Sequence, residues 1–247
     1  MRNPKASDHP CAKCTFHEDS IWSPIEPGSV SVLNAGFSRK DLKEGQVLYE
    51  QNSENRGIFC VSGGLIALRT HHANGASTLL RLAYPGDVIG VRSFLGDCPH
   101  QTEARAVLPS RVCRVARRDA KRVVQGSPDT MANLALRCIS EIDRNHERII
   151  ATSTLSNKQR LARLLEDLMA RHGQEQRDHF QMTLPLSRVD LADLIGVQPE
   201  TLSRLVKRLE RDGAFVFSGR DVQMPKSRID QDVRALGRFA KDRVTPA

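Results

Sequence analysis

One segment, residues 187–213, constrains the fold of this chain more than any other. Its sequence predicts two helices joined by a tight turn, because Ser187 can cap the first helix and Gly196 stands where the turn needs a positive φ. Pro199 falls in the first turn of the second helix, where its missing N–H is tolerated, and Gly213 ends that helix. The apolar positions predicted to face inward are Val189, Leu191, Ala192 and Ile195 in the first helix, and Leu202, Leu205, Val206 and Leu209 in the second. The segment therefore predicts a helix-turn-helix.

The outward face of the second predicted helix is polar and basic. Arginine can form two hydrogen bonds to a guanine edge, glutamate can accept one from cytosine, and serine can bond bases or phosphates. Such a turn also occurs in helical hairpins that bind no DNA, but the polar, basic face favours DNA binding here. The predicted DNA-contacting residues on this helix are Gln198, Glu200, Thr201, Ser203, Arg204, Lys207 and Arg208.

A β-hairpin is predicted directly after this segment, over residues 215–224, with its turn at Ser218-Gly219-Arg220. A hairpin in that position is a wing, and we expect Arg220 at its tip to contact the DNA backbone. The formal net charge of the chain is +8, and half of that excess lies in residues 157–247. The location of the charge agrees with a nucleic-acid partner for this part of the chain.

Between residues 43 and 115 the sequence consists of short β-rich pieces separated by turn signals. Short strands at regular spacing predict an antiparallel sandwich or barrel. The predicted turns are Ser62-Gly63-Gly64, Asn74-Gly75, Pro85-Gly86-Asp87 and Leu108-Pro109-Ser110.

A long helix is predicted next, because apolar residues recur in steps of three and four. This stripe is interrupted by Asn145 and His146 near its C-terminal end. It is either a dimer seam, in which a polar residue fixes the register, or a face packed on its own domain, and the sequence leaves both open. The stripe consists of Met131, Leu134, Ala135, Cys138, Ile139, Ile142, Ile149 and Ile150.

The N-terminal segment, residues 1–30, is polar, carries four prolines and is predicted to be an irregular arm. Its C-x-x-C pair, Cys11 and Cys14, can bind a metal or a cluster edge, or form a local disulfide. Because the arm is polar, packing does not account for this pair, and a sensory role is favoured. No general base accompanies it, so a thiol or metal enzyme is the weakest hypothesis and we expect no catalytic residues.

Three other cysteines receive simpler interpretations. Cys60 lies in a predicted strand and Cys138 on the long helix, so both are predicted to be packing residues. Cys98 lies in a loop, where its role stays open. The chain has no apolar stretch of the signal-peptide or transmembrane type, so we expect a cytoplasmic protein without membrane contact.

The order of a β-roll, a long helix and a winged helix-turn-helix resembles the CRP/FNR family of bacterial transcription regulators, over about residues 40–240. Gly63-Gly64 and the turn at residues 85–90 resemble the family's glycine positions in the roll. The segment Glu200-Thr-Leu-Ser203-Arg204 resembles the E-x-x-S-R recognition signature of the FNR-like branch. The resemblance implies an α+β fold with an N-terminal antiparallel β-roll of the cyclic-nucleotide-binding jelly-roll type. The implied domains are the arm (1–30), the roll as sensor domain (31–118), a dimerisation helix (119–156) and a winged helix-turn-helix DNA-binding domain (157–247).

The same resemblance implies a homodimer, joined through the 131–153 helix, that reads a TTGAT-type palindrome in double-stranded DNA. It implies RNA polymerase as a further partner. Arg204 is the implied guanine reader, with Glu200 and Ser203 as its neighbours.

FNR-like oxygen sensors hold a [4Fe–4S] cluster with three N-terminal cysteines and one cysteine from the roll. Cys11 and Cys14 match the first pair, and Cys113 falls where the roll cysteine lies. No third arm cysteine follows Cys14, so a cluster requires a fourth ligand from among His17, Asp19, Cys60 and Cys98. The alternative is a regulator of the same fold without a cofactor, controlled by its abundance or by another small molecule.

Members of the family that bind cyclic AMP carry a glutamate after the Gly-Asp-x-x-Gly turn and an Arg-Ser or Arg-Thr pair further on. Here Val91 follows that turn, and His100-Gln101 lie near the position of the pair. Valine cannot accept from a ribose hydroxyl and neutral histidine is a poor substitute for arginine, so we do not expect cyclic AMP binding. Haem ligation by the scattered histidines is likewise not expected.

Overall fold

The computed structural model describes residues 5, 8–18 and 20–226. Asp19 and the end of the predicted DNA-binding domain, residues 227–247, lie outside the described residues. The chain divides into two compact units, Met1–Ile149 and Ile150–Ala247, so the long helix contributes to both. Among the described helices, none is long and apolar enough to cross a membrane.

The first unit is built around one antiparallel sheet. The strand order is β1-β6-β3-β4, while β2 pairs with β6 and β5 pairs with β3. This arrangement confirms the predicted antiparallel β-roll. Its elements, with the long helix, are α1 (Val30–Gly36), β1 (Phe37–Leu42), β2 (Val47–Tyr49), β3 (Gly57–His71), β4 (Ser77–Ala83), β5 (Val88–Ile89), α2 (Val91–Leu95), β6 (Glu103–Ala116), α3 (Arg117–Gly126) and α4 (Pro128–Thr154).

Two of the four predicted turns are wrong. Ser62-Gly63-Gly64 lies inside β3, and Leu108-Pro109-Ser110 lies inside β6. The two strands pair with each other over this stretch, and their register shifts at Val61/Gly63, Gly63/Leu65 and Leu65/Ile66. The glycines and the proline therefore mark bulges that bend two long strands, rather than ends of short strands.

The helix predicted over 119–156 is two helices. The first, α3, ends at Gly126, and α4 begins at Pro128. Ser127 between them has extended backbone, with φ −130° and ψ 106°, because a residue before proline is disfavoured in the helical region. The Ser127 hydroxyl accepts a hydrogen bond from the Thr130 N–H at 3.3 Å and so caps the start of α4.

The N-terminal arm is irregular, as predicted, but it packs more tightly than its polar composition suggested. A short 3-10 helix spans Pro10–Lys13. Ile21 is fully buried and Trp22 is 1% exposed, and both lie in one apolar cluster with Leu134 of α4. The arm therefore contributes to the core of the first unit.

The second unit combines three helices with a small sheet in the order β7-β8-β10-β9. A capping box starts α5, since the Ser156 hydroxyl accepts from the Gln159 N–H and the Gln159 side chain accepts from the Ser156 N–H. The elements are α5 (Asn157–His172), β7 (Gln174–Glu175), β8 (His179–Thr183), α6 (Arg188–Ile195), α7 (Pro199–Arg211), β9 (Val216–Ser218) and β10 (Asp221–Pro225).

Candidate nucleic-acid interface and thiol cluster

The first helix of the helix-turn-helix, α6, has defined caps at both ends. Ser187 Oγ accepts from the Asp190 N–H at 3.1 Å, and Asp190 Oδ2 accepts from the Ser187 N–H at 3.0 Å. Gly196 ends the helix with φ +67°, the left-handed conformation predicted for it. Val189 does not face inward as predicted: it is 52% exposed. Each residue turns a helix by about 100°, so Val189 lies nearly opposite Leu191, which is buried.

The second helix, α7, has one apolar face and one polar face. Its buried side chains are Leu202, Leu205, Val206 and Leu209, as predicted. Of the predicted DNA-contacting residues, Thr201 is partly buried and the others on this helix are exposed. Ser203 Oγ donates to the Pro199 carbonyl at 3.1 Å. The structure thus brings Gln198, Glu200, Ser203, Arg204, Lys207 and Arg208 to a solvent-facing surface, called here the α7 polar face.

The predicted wing is present as the hairpin of β9 and β10, with Gly219 at φ +61° in its turn. The side chain of Arg220 is not free at the tip. Its Nε and Nη2 donate to the Leu184 carbonyl at 3.1 and 2.8 Å. The guanidinium therefore anchors the turn to the segment after β8, which sequence reasoning did not anticipate.

In the roll, the positions compared with a nucleotide site are filled by packed side chains. Val91 and His100 are both buried. The His100 ring stacks on Tyr49 with centroids 3.7 Å apart, and its Nδ1 lies 3.0 Å from Ser93 Oγ. Burial and then the charge of Arg117 lower the pKa of His100 to about 4. Neither Val91 nor His100 offers a carboxylate or a cation at neutral pH.

Two cysteines of the roll lie side by side on neighbouring strands. Cys60 on β3 is the direct register partner of Cys113 on β6. Directly opposed residues of an antiparallel pair project to the same face, with Cβ atoms about 4.5–5.5 Å apart. The Cys113 thiol is also 3.9 Å from the hydroxyl of Ser62. Both thiols therefore share one face of the sheet.

The arm brings its own pair of cysteines to the same place. Cys11 is buried in the core of the first unit, so the prediction that packing plays no part is wrong for this member of the pair. Its N–H donates to His9 Nδ1 at 3.1 Å, which fixes the start of the 3-10 helix. Burial, then the charges of Cys113 and Cys14, raise the pKa of the Cys11 thiol to about 12.

Cys60 belongs to the same group of thiols. Its pKa is raised by burial and, to a smaller extent, by the charges of Cys11, Cys113 and Cys14. The prediction that Cys60 only fills space is therefore incomplete. We call Cys11, Cys14, Cys60 and Cys113 the thiol cluster; all four are free cysteines. Within the described parts of the chain, no three His, Cys, Asp or Glu side chains are arranged to hold a single metal ion.

Two domain families match this chain. Residues 39–127 match the cyclic nucleotide-binding domain, and residues 159–226 match the Crp-like helix-turn-helix domain. Together they account for more than half of the chain. The chain belongs to the CRP/FNR family. Members of this family are DNA-binding transcription regulators and not enzymes.

Relatives of known name agree with this assignment. The fumarate and nitrate reduction regulatory protein of Vibrio cholerae is 24% identical, over 85% of this chain and 84% of that protein. The anaerobic regulatory protein of Pasteurella multocida is 25% identical, over 85% of this chain and 77% of that protein. This CRP/FNR regulator therefore aligns with these proteins along most of its length.

Solved structures show the same fold. FixK2 from Bradyrhizobium japonicum superposes with a TM-score of 0.65 at 21% identity, covering 79% of this chain and 96% of that one. A CRP/FNR-family transcriptional regulator from Thermus thermophilus superposes with a TM-score of 0.66 at 21% identity, covering 83% of this chain and 98% of that one. The roll and the winged helix-turn-helix of this CRP/FNR regulator are thus those of its family.

Proposed function

We propose that this CRP/FNR regulator binds a TTGAT-type palindrome as a homodimer and responds to oxygen or redox state through Cys11, Cys14 and Cys113, which hold a [4Fe–4S] cluster. The observation that carries the DNA-binding part is the α7 polar face. It presents Arg204 to solvent one helical turn from Glu200, so both can enter a major groove together. RNA polymerase is the expected partner at the promoter.

The homodimer is supported by apolar side chains that α4 leaves exposed. Ile139 and Ile142 are each 52% exposed and Ile149 is 64% exposed. These apolar residues recur at helical spacing, a pattern that normally marks a buried face. His146 is exposed beside them. A helix that packed only on its own unit would bury these residues, so we assign them to a seam between two copies. Leu134 of the same stripe is fully buried in the first unit, which separates the packed start of the helix from the proposed seam.

The cysteines fit the proposed cluster in their chemistry. Iron–sulfur clusters are bound by cysteine thiolates. A single tetrahedral zinc ion would draw sulfur atoms to within about 4 Å of one another, and the described residues hold no such group. A [4Fe–4S] cluster is larger than one ion and its ligands stand farther apart. When bound, the cluster supplies sensitivity to oxygen, and the protein's own residues supply its position next to α4.

Two contacts would carry a change in the arm or roll to α4. Asn133 Nδ2 on α4 donates to the Ser23 carbonyl of the arm at 2.6 Å. Arg81 Nε on β4 lies 3.2 Å from Glu141 Oε1 on α4. Since a dimer must present its recognition helices about 34 Å apart to read a palindrome, a shift of α4 at the seam would alter DNA binding.

The DNA-binding proposal is tested by comparing two variants of the α7 polar face. Arg204→Ala should weaken binding by about 1–3 kcal/mol on the palindrome and lose discrimination at one base pair of each half-site. Lys207→Ala should weaken binding to all sequences about equally and reduce the salt slope by about one. Fluorescence anisotropy with the TTGAT palindrome and with versions substituted at each position measures both. Equal losses on specific and scrambled DNA for Arg204→Ala would contradict its role as a base reader.

The sensory proposal is tested by iron and sulfide assays on full-length protein purified without oxygen. About equal amounts of iron and sulfide, lost on exposure to air together with DNA affinity, are expected. A protein that contains neither, and whose DNA binding does not depend on thiols, favours the same-fold regulator without a cofactor.

A further inference from the structure

A site with four thiolate ligands needs three cysteines in addition to Cys113. The arm of this chain supplies only two, Cys11 and Cys14, so one ligand is still to be assigned. Resting on the proposed sensory function, we infer that Cys60 on β3 supplies the fourth ligand, so that the site is formed by two cysteines of the arm and two of the sheet. In this set of ligands, Cys60 of β3 takes the place of a third cysteine from the arm.

Strand register is the first step of the argument. Cys60 and Cys113 are directly opposed across β3 and β6, in the stretch before the register shifts begin at Val61/Gly63. Their thiols therefore project to one face at a spacing set by the sheet and not by a flexible loop. A ligand pair fixed in this way is as rigid as the sheet itself, which favours a defined site.

The arm closes over this pair. Cys11 and Cys14 are linked by the hydrogen bond from the Cys14 N–H to the Cys11 carbonyl, at 3.1 Å, so the 3-10 turn sets their separation. Cys11 lies in one buried cluster with Ile58 and Val115, which oppose each other two positions away from the Cys60–Cys113 pair on the same two strands. Side chains two positions apart on a strand point to the same face, so the arm cysteines lie on the face that carries Cys60 and Cys113.

Charge compensation is available on the protein side. Four thiolates close together, one of them buried and three partly buried, are unfavourable unless cations lie near them. Arg39 on β1 acts on Cys11 in the direction that favours the thiolate, and Arg137 on α4 does the same for Cys60. Because Arg137 belongs to the long helix, the fourth ligand is also the one whose charge acts directly on α4.

The other candidate ligands are less well placed. Cys98 lies in the loop after α2, where its N–H donates to the Ser93 carbonyl at 3.2 Å. The neighbouring Asp97 pairs with Lys121 of α3 at 3.3 Å, whereas Cys60 stands on the sheet directly opposite Cys113. His17 is the stronger rival, because its Nδ1 is buried and has no hydrogen-bond partner among the described residues. An imidazole ligand is rarer than a thiolate in such clusters. The experiment therefore compares a His17 variant directly with the Cys60 variants.

The test is iron–sulfide reconstitution of the full-length protein without oxygen, followed by iron, sulfide and zinc analysis and visible absorbance. The variants are Cys60→Ala, Cys60→Ser, His17→Asn and Cys98→Ala. We expect Cys60→Ala to lower cluster affinity by at least roughly 10–100-fold, the loss typical of removing even an outer-shell partner. Cys60→Ser, which keeps a small side chain and a weak oxygen ligand, should hold less cluster than wild type, with a shifted spectrum. Cys98→Ala should match wild type.

Folding is checked independently of the cluster. Trp22 is the single tryptophan and is buried in the same core as Cys11, so its fluorescence reports whether the first unit of each metal-free variant is native. A folded Cys60→Ala that retains wild-type iron and sulfide refutes the inference and leaves the proposed function standing. Loss of the cluster in His17→Asn but not in Cys60→Ala assigns the ligand to His17 and likewise refutes it.

The remaining outcomes separate the two proposals. A wild-type protein with no iron, sulfide or zinc contradicts both the sensory function and the role of Cys60. One zinc per chain that is lost in Cys60→Ala supports Cys60 as a ligand and contradicts the iron–sulfur part of the proposed function.

Discussion

Two glycines of the roll have almost the same backbone conformation but different surroundings. Comparing their alanine variants isolates the cost of a steric clash where β3 and β6 approach closely. Gly64 in β3 has φ +82°, and Gly75 in the turn before β4 has φ +81°. A Cβ atom on Gly75 would meet nothing within 4 Å, whereas one on Gly64 would lie 2.5 Å from Ser110 Cα and collide with the Pro109 carbonyl. Gly64→Ala and Gly75→Ala therefore impose the same backbone strain, but only Gly64→Ala adds a steric clash.

The magnitudes follow from these surroundings. Left-handed backbone costs alanine about 1–2 kcal/mol, and reduced freedom of the unfolded chain offsets about 0.4–1 kcal/mol of it. Gly75→Ala should therefore lower the free energy of unfolding by about 0–1.6 kcal/mol. Gly64→Ala should lose a further 1–3 kcal/mol or so, typical of an overpacked interior. It also displaces Ser110 Oγ, which accepts from the Leu65 N–H at 3.0 Å.

Urea unfolding followed by the fluorescence of Trp22 measures the difference, because this tryptophan lies in the first unit and is 1% exposed. With an m-value of about 2 kcal/mol/M, the two midpoints should differ by about 0.5–1.5 M urea. Equal midpoints for Gly64→Ala and Gly75→Ala would refute the close approach of β3 and β6 at the bulge.

Two further predictions concern the proposed seam and the interior of the roll. Ile142→Asp places a charge in the α4 stripe and should weaken dimer association by roughly tenfold or more, as measured by sedimentation equilibrium. The control Arg144→Ala, on the opposite side of the helix, should have little effect. An unchanged dimer dissociation constant for Ile142→Asp would exclude this seam. His100→Gln should flatten the acid side of the stability profile. The pKa of His100 is about 4 in the folded protein against 6.5 unfolded, so between these values only the unfolded chain takes up the proton and stability falls as the pH drops. Urea midpoints at pH 7.5 and 5 that fall equally in both proteins would contradict this assignment.

Local signals in the sequence predict the second unit well. The cap at Ser187, the left-handed Gly196 and the apolar stripe of α7 all depend on neighbours within a few residues, and the structure agrees with each. Val189 was placed wrongly because an apolar side chain at the start of a short helix need not face the core. In such segments local chemistry and tertiary packing favour the same structure.

The roll is harder to predict because its strands bend. Gly63-Gly64 and Pro109 are strong turn signals, yet a bulged strand uses the same residues. Whether the chain reverses or only bends there depends on whether β3 and β6 pair with each other, and that pairing joins residues about 50 positions apart. Local composition contains no information about this register.

The thiol cluster depends on the same long-range register. The spacing of Cys11 and Cys14 indicated a pair that can bind metal, but the partner strands of Cys60 and Cys113 decide which other sulfur atoms are near. The polar composition of the arm predicted no packing for its cysteines, whereas two adjacent apolar residues, Ile21 and Trp22, are buried and anchor the arm in the core. A few large side chains can thus determine the position of a segment that is polar on average.

The shared core also limits how the proposed sensor can act. Cys11, Trp22 and Leu134 lie in one buried cluster, and Leu134 belongs to α4. Because packed interiors respond to changes in volume and charge by shifting between discrete arrangements, a change at the thiols of the proposed sensor would reach α4 through direct contact. The exposed isoleucines of the proposed seam lie further along the same helix, so a movement at Leu134 need only pass along one rigid element to reach the dimer contact. The proposed route thus runs from the arm to the seam through α4 alone, apart from the interior of the roll, where Val91 and His100 are buried.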